Sequence, residues 1–313
     1  MNRSRIFCLF LLLLVLGAFT LIAPVSAQGV SFSATTKATL PWDAVPSPDG
    51  STIYYTAFAK DGTPAVFSVP AAGGDATVLA SGAPLVMPLG LDVSSDGKTL
   101  YVADPWTAGA DGNAVFAVST AGGSTPTAVA GTQGTAPQGV TVVGDQLYFS
   151  GINPSNAGQA AIYKIAVGGA SDATIVTQGT RLIAPSGLAV AKDGTVYVLD
   201  RLASGNGLVA VLRVQSNKVD TIASDVRTGG QMAGITLTLD ESTLLVSSLD
   251  KTAGTAQVLA ITLSTMQPSI INDVIKVNTA AGGLHRAHDA NIFAWADSSA
   301  GPAGGRVYTI KFA

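Results

Sequence analysis

One four-residue β-pattern, a branched residue, a large residue, any residue and a branched residue, returns at near-constant spacing along the whole chain. Its copies are Val66-Phe67-Ser68-Val69, Val115-Phe116-Ala117-Val118, Ile162-Tyr163-Lys164-Ile165, Val211-Leu212-Arg213-Val214, Val258-Leu259-Ala260-Ile261 and Val307-Tyr308-Thr309-Ile310, whose first residues lie 49, 47, 49, 47 and 49 positions apart. A period of this length marks stacked supersecondary units, none of which can bury its apolar surface alone. Two further landmarks keep the register. An apolar strand opens each unit, usually with glycine: Gly90-Leu91, Gly139-Val140, Gly187-Leu188, Gly234-Ile235 and Gly283-Leu284, with Asp43-Ala44 as the first copy. A turn then feeds a second apolar strand, as in "SPDGSTIYYT", "SSDGKTLYVA" and "AKDGTVYVL".

Each unit therefore reads as four short antiparallel strands, the repeat of a β-propeller blade. Strand a is the "GLxV" segment, b the "LYV" segment and c the four-residue pattern. Strand d is "ATVLASG", "TAVAGT", "ATIVTQG", "DTIASDV" or "INDVIKV". Strand a is apolar at successive positions because it is buried on both sides. The chain ends just after the sixth c strand, so the sixth d strand must come from elsewhere. The alternating segment Val30–Leu40, "VSFSATTKATL", precedes the first a strand and fits the outer place of the last blade. Its pairing there would close the ring and remove exposed sheet edges. The fold class predicted is all-β: a six-bladed β-propeller. The acidic residues agree, with 19 Asp and a single Glu, Glu241. Asp favours turns by accepting backbone hydrogen bonds, whereas Glu favours helices.

The first residues read as an export signal. Arg3 and Arg5 precede an apolar run from Ile6 to Leu21, and Val25-Ser26-Ala27 offers small residues for cleavage before Gln28. The expected organisation is a signal peptide over residues 1–27 and one propeller domain over 28–313. An uncleaved anchor is the competing reading, because the apolar run nearly spans a bilayer. Cys8 is the only cysteine, so the exported chain would hold itself together by packing rather than by disulfides. Without Arg3 and Arg5, 15 basic residues face 20 acidic ones, a net charge of −5. No Lys/Arg-rich tract exists, which argues against nucleic acid and membrane surfaces as partners. A monomer in the periplasm or outside the cell is expected.

The pattern "P-x-G-L-x-V … DG-x-x-Y-V-x-D" resembles the NHL-repeat and SMP-30/gluconolactonase group of six-bladed propellers, and "SPDGSTIYYT" is similar to the repeats of TolB-type propellers. Hydrolytic members of the lactonase family hold a divalent metal with acidic and amide side chains, some at the x of "P-x-G". The matching positions here are Trp42, Leu89, Gln138, Ser186, Ala233 and Gly282, of which only Gln138 offers an amide. No Glu stands beside Pro41-Trp42-Asp43 either. That departure speaks against metal-dependent lactone hydrolysis and in favour of a non-enzymatic scaffold.

Candidate site residues follow from the loops. The turn acids Asp49, Asp96, Asp145, Asp193, Asp240 and Asp289 read as hairpin turn formers. Asp104, Asp200 and Asp297 end strand b in units two, four and six, and lead into the b–c loops. These loops share one propeller face with the d–a loops. Three carboxylates converging there would hold a calcium ion through oxygen ligands; the alternative is that each caps its own loop. Asp43, Asp104, Trp106, Asp200, Arg201, Asp250 and Asp297 are the candidates for a face that binds a small molecule, glycan or protein. Trp106 would either stack on a ligand or pack its loop down. In "LHRAHDA", His285, Arg286, His288 and Asp289 invite a zinc or acid–base reading. Adjacent strand residues point to opposite faces, however, so a structural His285 and an exposed turn His288 are expected. No nucleophile-elbow motif exists, and no catalytic residue is assigned.

Overall fold

The computed structural model describes residues 27–35, 39–106, 112–168, 172–179, 181–205, 207–228, 232, 234–250, 252–271, 282–298 and 305–312, with side chains from Leu40 to Lys311. The expected leader lies outside the described residues except for Ala27, with which the first strand begins. Among the described residues all regular structure is strand, arranged as six four-stranded antiparallel sheets.

The closing strand, β1 (Ala27–Thr35), belongs to the last sheet. Blade one then holds β2 (Thr39–Pro46), β3 (Thr52–Phe58), β4 (Pro64–Pro70) and β5 (Thr77–Ser81). Blade two holds β6 (Leu91–Val93), β7 (Thr99–Asp104), β8 (Ala114–Ser119) and β9 (Thr127–Ala128). Blade three holds β10 (Val140–Val143), β11 (Gln146–Asn153), β12 (Gln159–Ala166) and β13 (Thr174–Gln178). Blade four holds β14 (Pro185–Val190), β15 (Val196–Asp200), β16 (Val209–Gln215) and β17 (Lys218–Val226). Blade five holds β18 (Ile235–Leu237), β19 (Thr243–Leu249), β20 (Ala256–Thr262) and β21 (Gln267–Ile271). Blade six holds β22 (Leu284–Arg286), β23 (Ile292–Asp297) and β24 (Arg306–Phe312), completed by β1.

The inner strands β2, β6, β10, β14, β18 and β22 each touch the next, and β22 returns to β2, so the ring is closed. β1 pairs antiparallel with β24 in the register Val30↔Ile310, Ser31↔Thr309 and Phe32↔Tyr308. The expected closing segment is thus right in kind but shorter than Val30–Leu40, since Thr39 and Leu40 already open β2. A second boundary also moves. The outer strand of blade five is Gln267–Ile271, just ahead of the expected "INDVIKV", most of which lies outside the described residues.

The core is divided. Apolar clusters sit at each of the six interfaces between neighbouring blades, as the repeat requires. Second strands are buried on consecutive positions because a blade lies on either side, as in Tyr54-Tyr55-Thr56-Ala57 and Tyr101-Val102-Ala103. Stacked pairs such as Tyr55–Phe67, with ring centroids 5.0 Å apart, tie second to third strands.

The repeating unit of the ring is a pair of blades. On the second strands of blades one, three and five, Thr56, Ser150 and Ser247 donate to carbonyls of the following blade, Leu89, Ser186 and Gly282, at 2.6, 2.6 and 2.8 Å. Blades two, four and six carry Ala103, Leu199 and Ala296 at that register and follow it with Asp104, Asp200 and Asp297. The alternating 49 and 47 spacing records the same two-blade period.

Candidate functional site

Two places concentrate polar chemistry: the face carrying the b–c and d–a loops, and the inner ring. On the loop face, Asp104 is fully buried and turned onto its own backbone surroundings. Its Oδ2 accepts the Val86 and Met87 amides at 2.8 and 3.0 Å, and its Oδ1 accepts the Trp106 amide at 3.1 Å. Asp200 repeats this in blade four. It accepts the amides of Ile183 at 2.7 Å and of Ala184, Leu202 and Ala203 at 3.0 Å. Each carboxylate therefore pins a d–a loop to the b–c loop of the same blade. Charge-assisted bonds to several amides are among the stronger contacts available to a loop.

Asp297 ends β23 in the same way, buried and in register with Arg306, but both loops beside it lie outside the described residues. Asp250 accepts the Thr252 and Ala253 amides, and these bonds hold its carboxyl below the usual range. Among the described residues no three His, Cys, Asp or Glu side chains approach closely enough to hold a metal ion. Asp104 and Asp200 instead serve separate blades. Arg201 is half-buried, its amide bonded to the Ala184 carbonyl at 3.0 Å. Its Nε is buried without a hydrogen-bond partner among the described residues. Trp106 is 58% exposed, and the loop that follows it lies outside the described residues.

Asp43 lies elsewhere. It occupies the place that Gly90, Gly139, Gly187, Gly234 and Gly283 hold in the other blades, where inner strands crowd together. A Cβ on Gly90 would stand 2.7 Å from the Gln138 carbonyl oxygen, and one on Gly283 would collide with the Asp43 carboxylate. Asp43 is fully buried. Its Oδ1 accepts the Ala44 amide at 2.9 Å, and its Oδ2 accepts the Leu91 amide of blade two and His285 Nε2, both at 3.0 Å.

Two residues along the inner strands, Val45, Asp92, Thr141, Ala189, Thr236 and His285 occupy equivalent registers. Asp92, buried there, accepts the Val142 amide at 2.7 Å and the Thr141 hydroxyl at 3.0 Å. His288 turns inward and faces Asp92 at 3.8 Å, only 21% exposed, which corrects the expectation of an exposed turn histidine. Arg286 points to the turn and donates to the Leu237 carbonyl at 2.8 Å and to the carbonyls of Ala287 and His288.

Burial disfavours a charge on His285, but the Asp43 carboxylate, by attraction and hydrogen bond, and Asp92 outweigh it and push its pKa up to about 9. His288 is raised by the facing Asp92, against its burial. Asp92 is itself held below the usual range: burial opposes this, and His288, His285 and the Val142 amide overcome it. Acids from blades one and two thus meet imidazoles from blade six, beside a small cavity of about 70 Å³ lined in part by Asp92, Thr141, His285 and His288. The cluster ties blades one, two and six to one another at the inner strands. Asp92 escapes a reading of the sequence for candidate sites. Its signal is the x of "G-L-x-V", polar in a strand otherwise apolar.

The fold and these loops define a six-bladed β-propeller. No family model matches the chain, and no curated protein matches it. Solved structures do. TolB from Acinetobacter baumannii aligns with a TM-score of 0.56 and 13% identity over 74% of this chain, which spans 54% of that protein's length. A gluconolactonase from Xanthomonas campestris aligns with a TM-score of 0.60 and 15% identity, covering 92% of this chain and 91% of its own. A Thermus thermophilus protein assigned as an oxidoreductase of the glucose dehydrogenase type gives 0.62 and 14%, covering 90% and 100%. At such identities the likeness is one of fold.

Proposed function

We propose that this protein is an exported binding scaffold whose b–c and d–a loop face receives a small molecule, glycan or protein. One observation carries the reading. Of the large apolar side chains left exposed among the described residues, Leu40, Val86, Trp106, Ile152, Ile183 and Leu202 all stand at the loop-face end of their blades. The remainder are scattered, with Val78, Ile175 and Ile270 on outer strands and Leu239 on an a–b turn. Apolar side chains concentrated on one side of a molecule mark interaction sites. Export is supported by the leader-like N-terminus.

The alternative, a divergent lactone hydrolase with a divalent metal, draws on the gluconolactonase-like fold. It has less support, because Asp104 and Asp200 spend their oxygens on separate loops. Thermal shift of the chain from Gln28 onward, with and without calcium and beside a lactone and ester panel, tests the choice. The scaffold reading expects no turnover in either condition. Calcium-dependent hydrolysis would contradict it.

A further inference from the structure

We infer that the cleft between blades four and five binds a small aromatic carboxylate, its ring received against Leu259 and its charge answered by Arg227. The cleft is walled by outer strands, so the inference goes beyond the loop-face reading and does not depend on it.

The recess follows from one register. The second residue of the four-residue pattern on each third strand faces the preceding blade. It is aromatic in blades one, two, three and six, as Phe67, Phe116, Tyr163 and Tyr308. Blades four and five carry Leu212 and Leu259 instead. Around Leu212 the interface still closes. The outer strand facing it, β13, makes a single register shift against β12, and Leu212 is 1% exposed. The strand facing Leu259, β17, shifts twice against β16. Its second shift is a bulge at Ser224-Asp225, with Asp225 in the left-handed region at a φ of 58°. A bulge bends the strand that carries it. Leu259 is 9% exposed and lines a recess of about 350 Å³. Ligand pockets run from roughly 300 to 1,000 Å³, so this one suits a single ring with a short chain.

The lining selects the chemistry. Ser248, Gln257, Leu259 and Ile270 share the blade-five face turned to blade four, and Ile222 and Val226 stand opposite on β17. The aliphatic side chains offer apolar walls to the kind of ring that four other blades supply from their own chain. Polar groups gather at the loop-face end. The Arg227 carbonyl accepts the Leu249 amide at 2.8 Å, which holds Arg227 beside the end of β19. Arg227 is exposed and is the one cation among the described residues of the lining. Neither its guanidinium nor the Gln257 carboxamide has a side-chain partner among the described residues. Asp225, the one acid of the lining, accepts the Ser224 hydroxyl at 3.3 Å. A guanidinium takes a carboxylate through two parallel hydrogen bonds, and the carboxamide can donate a third. A folded protein partner would need a far larger surface than this recess.

Calorimetry and ligand-observed NMR on the chain from Gln28 onward test this with benzoate, phenylacetate and phenylpropionate, each beside its amide, and with phenethylamine. At least one acid should bind saturably, and its amide at least about tenfold more weakly. Arg227→Gln should abolish that preference. Leu259→Phe returns the ring to the chain; it should weaken the acid at least about tenfold while the melting temperature holds or rises. Should Leu259→Phe fail to fold, hydrogen exchange of the wild type decides, with new protection expected at Val226, Leu249 and Ile270 when the acid is bound. The inference is overturned if no acid saturates, if phenethylamine binds more tightly than the acids, if both variants bind as wild type does, or if protection falls elsewhere. None of these outcomes touches the loop-face reading, which stands on Trp106, Ile183 and Leu202.

Discussion

A methyl group on Gly283 would run into the Asp43 carboxylate, so these two residues are expected to behave as a unit. Gly283→Ala should cost about 3 kcal/mol through overpacking, and adding Asp43→Gly should return part of that loss, measured by urea titration. His285 carries a pH prediction. Its folded pKa of about 9 lies above the ordinary 6.5, so its stabilisation is complete below pH 6.5 and disappears as pH rises through 9. The loss is on the order of 3 kcal/mol. Melting temperatures between pH 6 and 10 should fall steeply for wild type and less for His285→Gln; parallel profiles would refute the ion pair. Asp43 was visible in the sequence as the one acid at a glycine position, but its role was not. The pairing with His285 joins residues 242 positions apart, brought together only when blade six meets blade one. Asp92 was harder still, because one polar residue in an apolar strand looks like ordinary variation until six strands are set in a circle.

At the scale of elements, the alternation of blades decides how the loops are held. Ser247→Ala removes the bond from blade five to the Gly282 carbonyl and should cost about 1 kcal/mol in a denaturant titration. Asp200→Asn keeps the shape but loses the charge that gathers four amides. Exchange protection at Ile183, Ala184, Leu202 and Ala203 should drop sharply, with little change on β16. Unaltered protection would show that the loops hold themselves. The positions of Asp104 and Asp200 were legible because the repeat sets them at the exit of every second b strand. The choice between ion ligation and loop capping was not, since it depends on which amides the returning d–a loop presents. The two loops share a pattern, "GAPLVMPLG" and "GTRLIAPSG", but every residue other than proline carries an amide N–H, so residue types alone do not say which amides turn to the carboxylate. The turn acids were simpler: Asp49 accepts Ser47 Oγ at 2.6 Å and the Ser51 amide at 3.0 Å, contacts wholly local in sequence. These contacts lower its pKa to about 2.

The whole molecule depends on closure. The repeat fixed blade number and strand order because each interface between blades reuses the same apolar positions, and a missing sixth outer strand pointed to the N-terminus. Where the pattern blurred, at the ends of β1 and at the outer strand of blade five, apolar alternation alone could not say which residues meet a neighbour. The loop face inherits its rigidity from the ring, since the exits of blades two and four keep their geometry only while every interface is formed. The most direct test is to compare the melting temperature of the chain beginning at Gln28 with that of one beginning at Thr39, which lacks β1. A closed ring predicts a loss of many degrees and broadened unfolding, with new exchange along β24. Equal melting temperatures and a still-protected β24 would contradict the closure on which every other assignment stands.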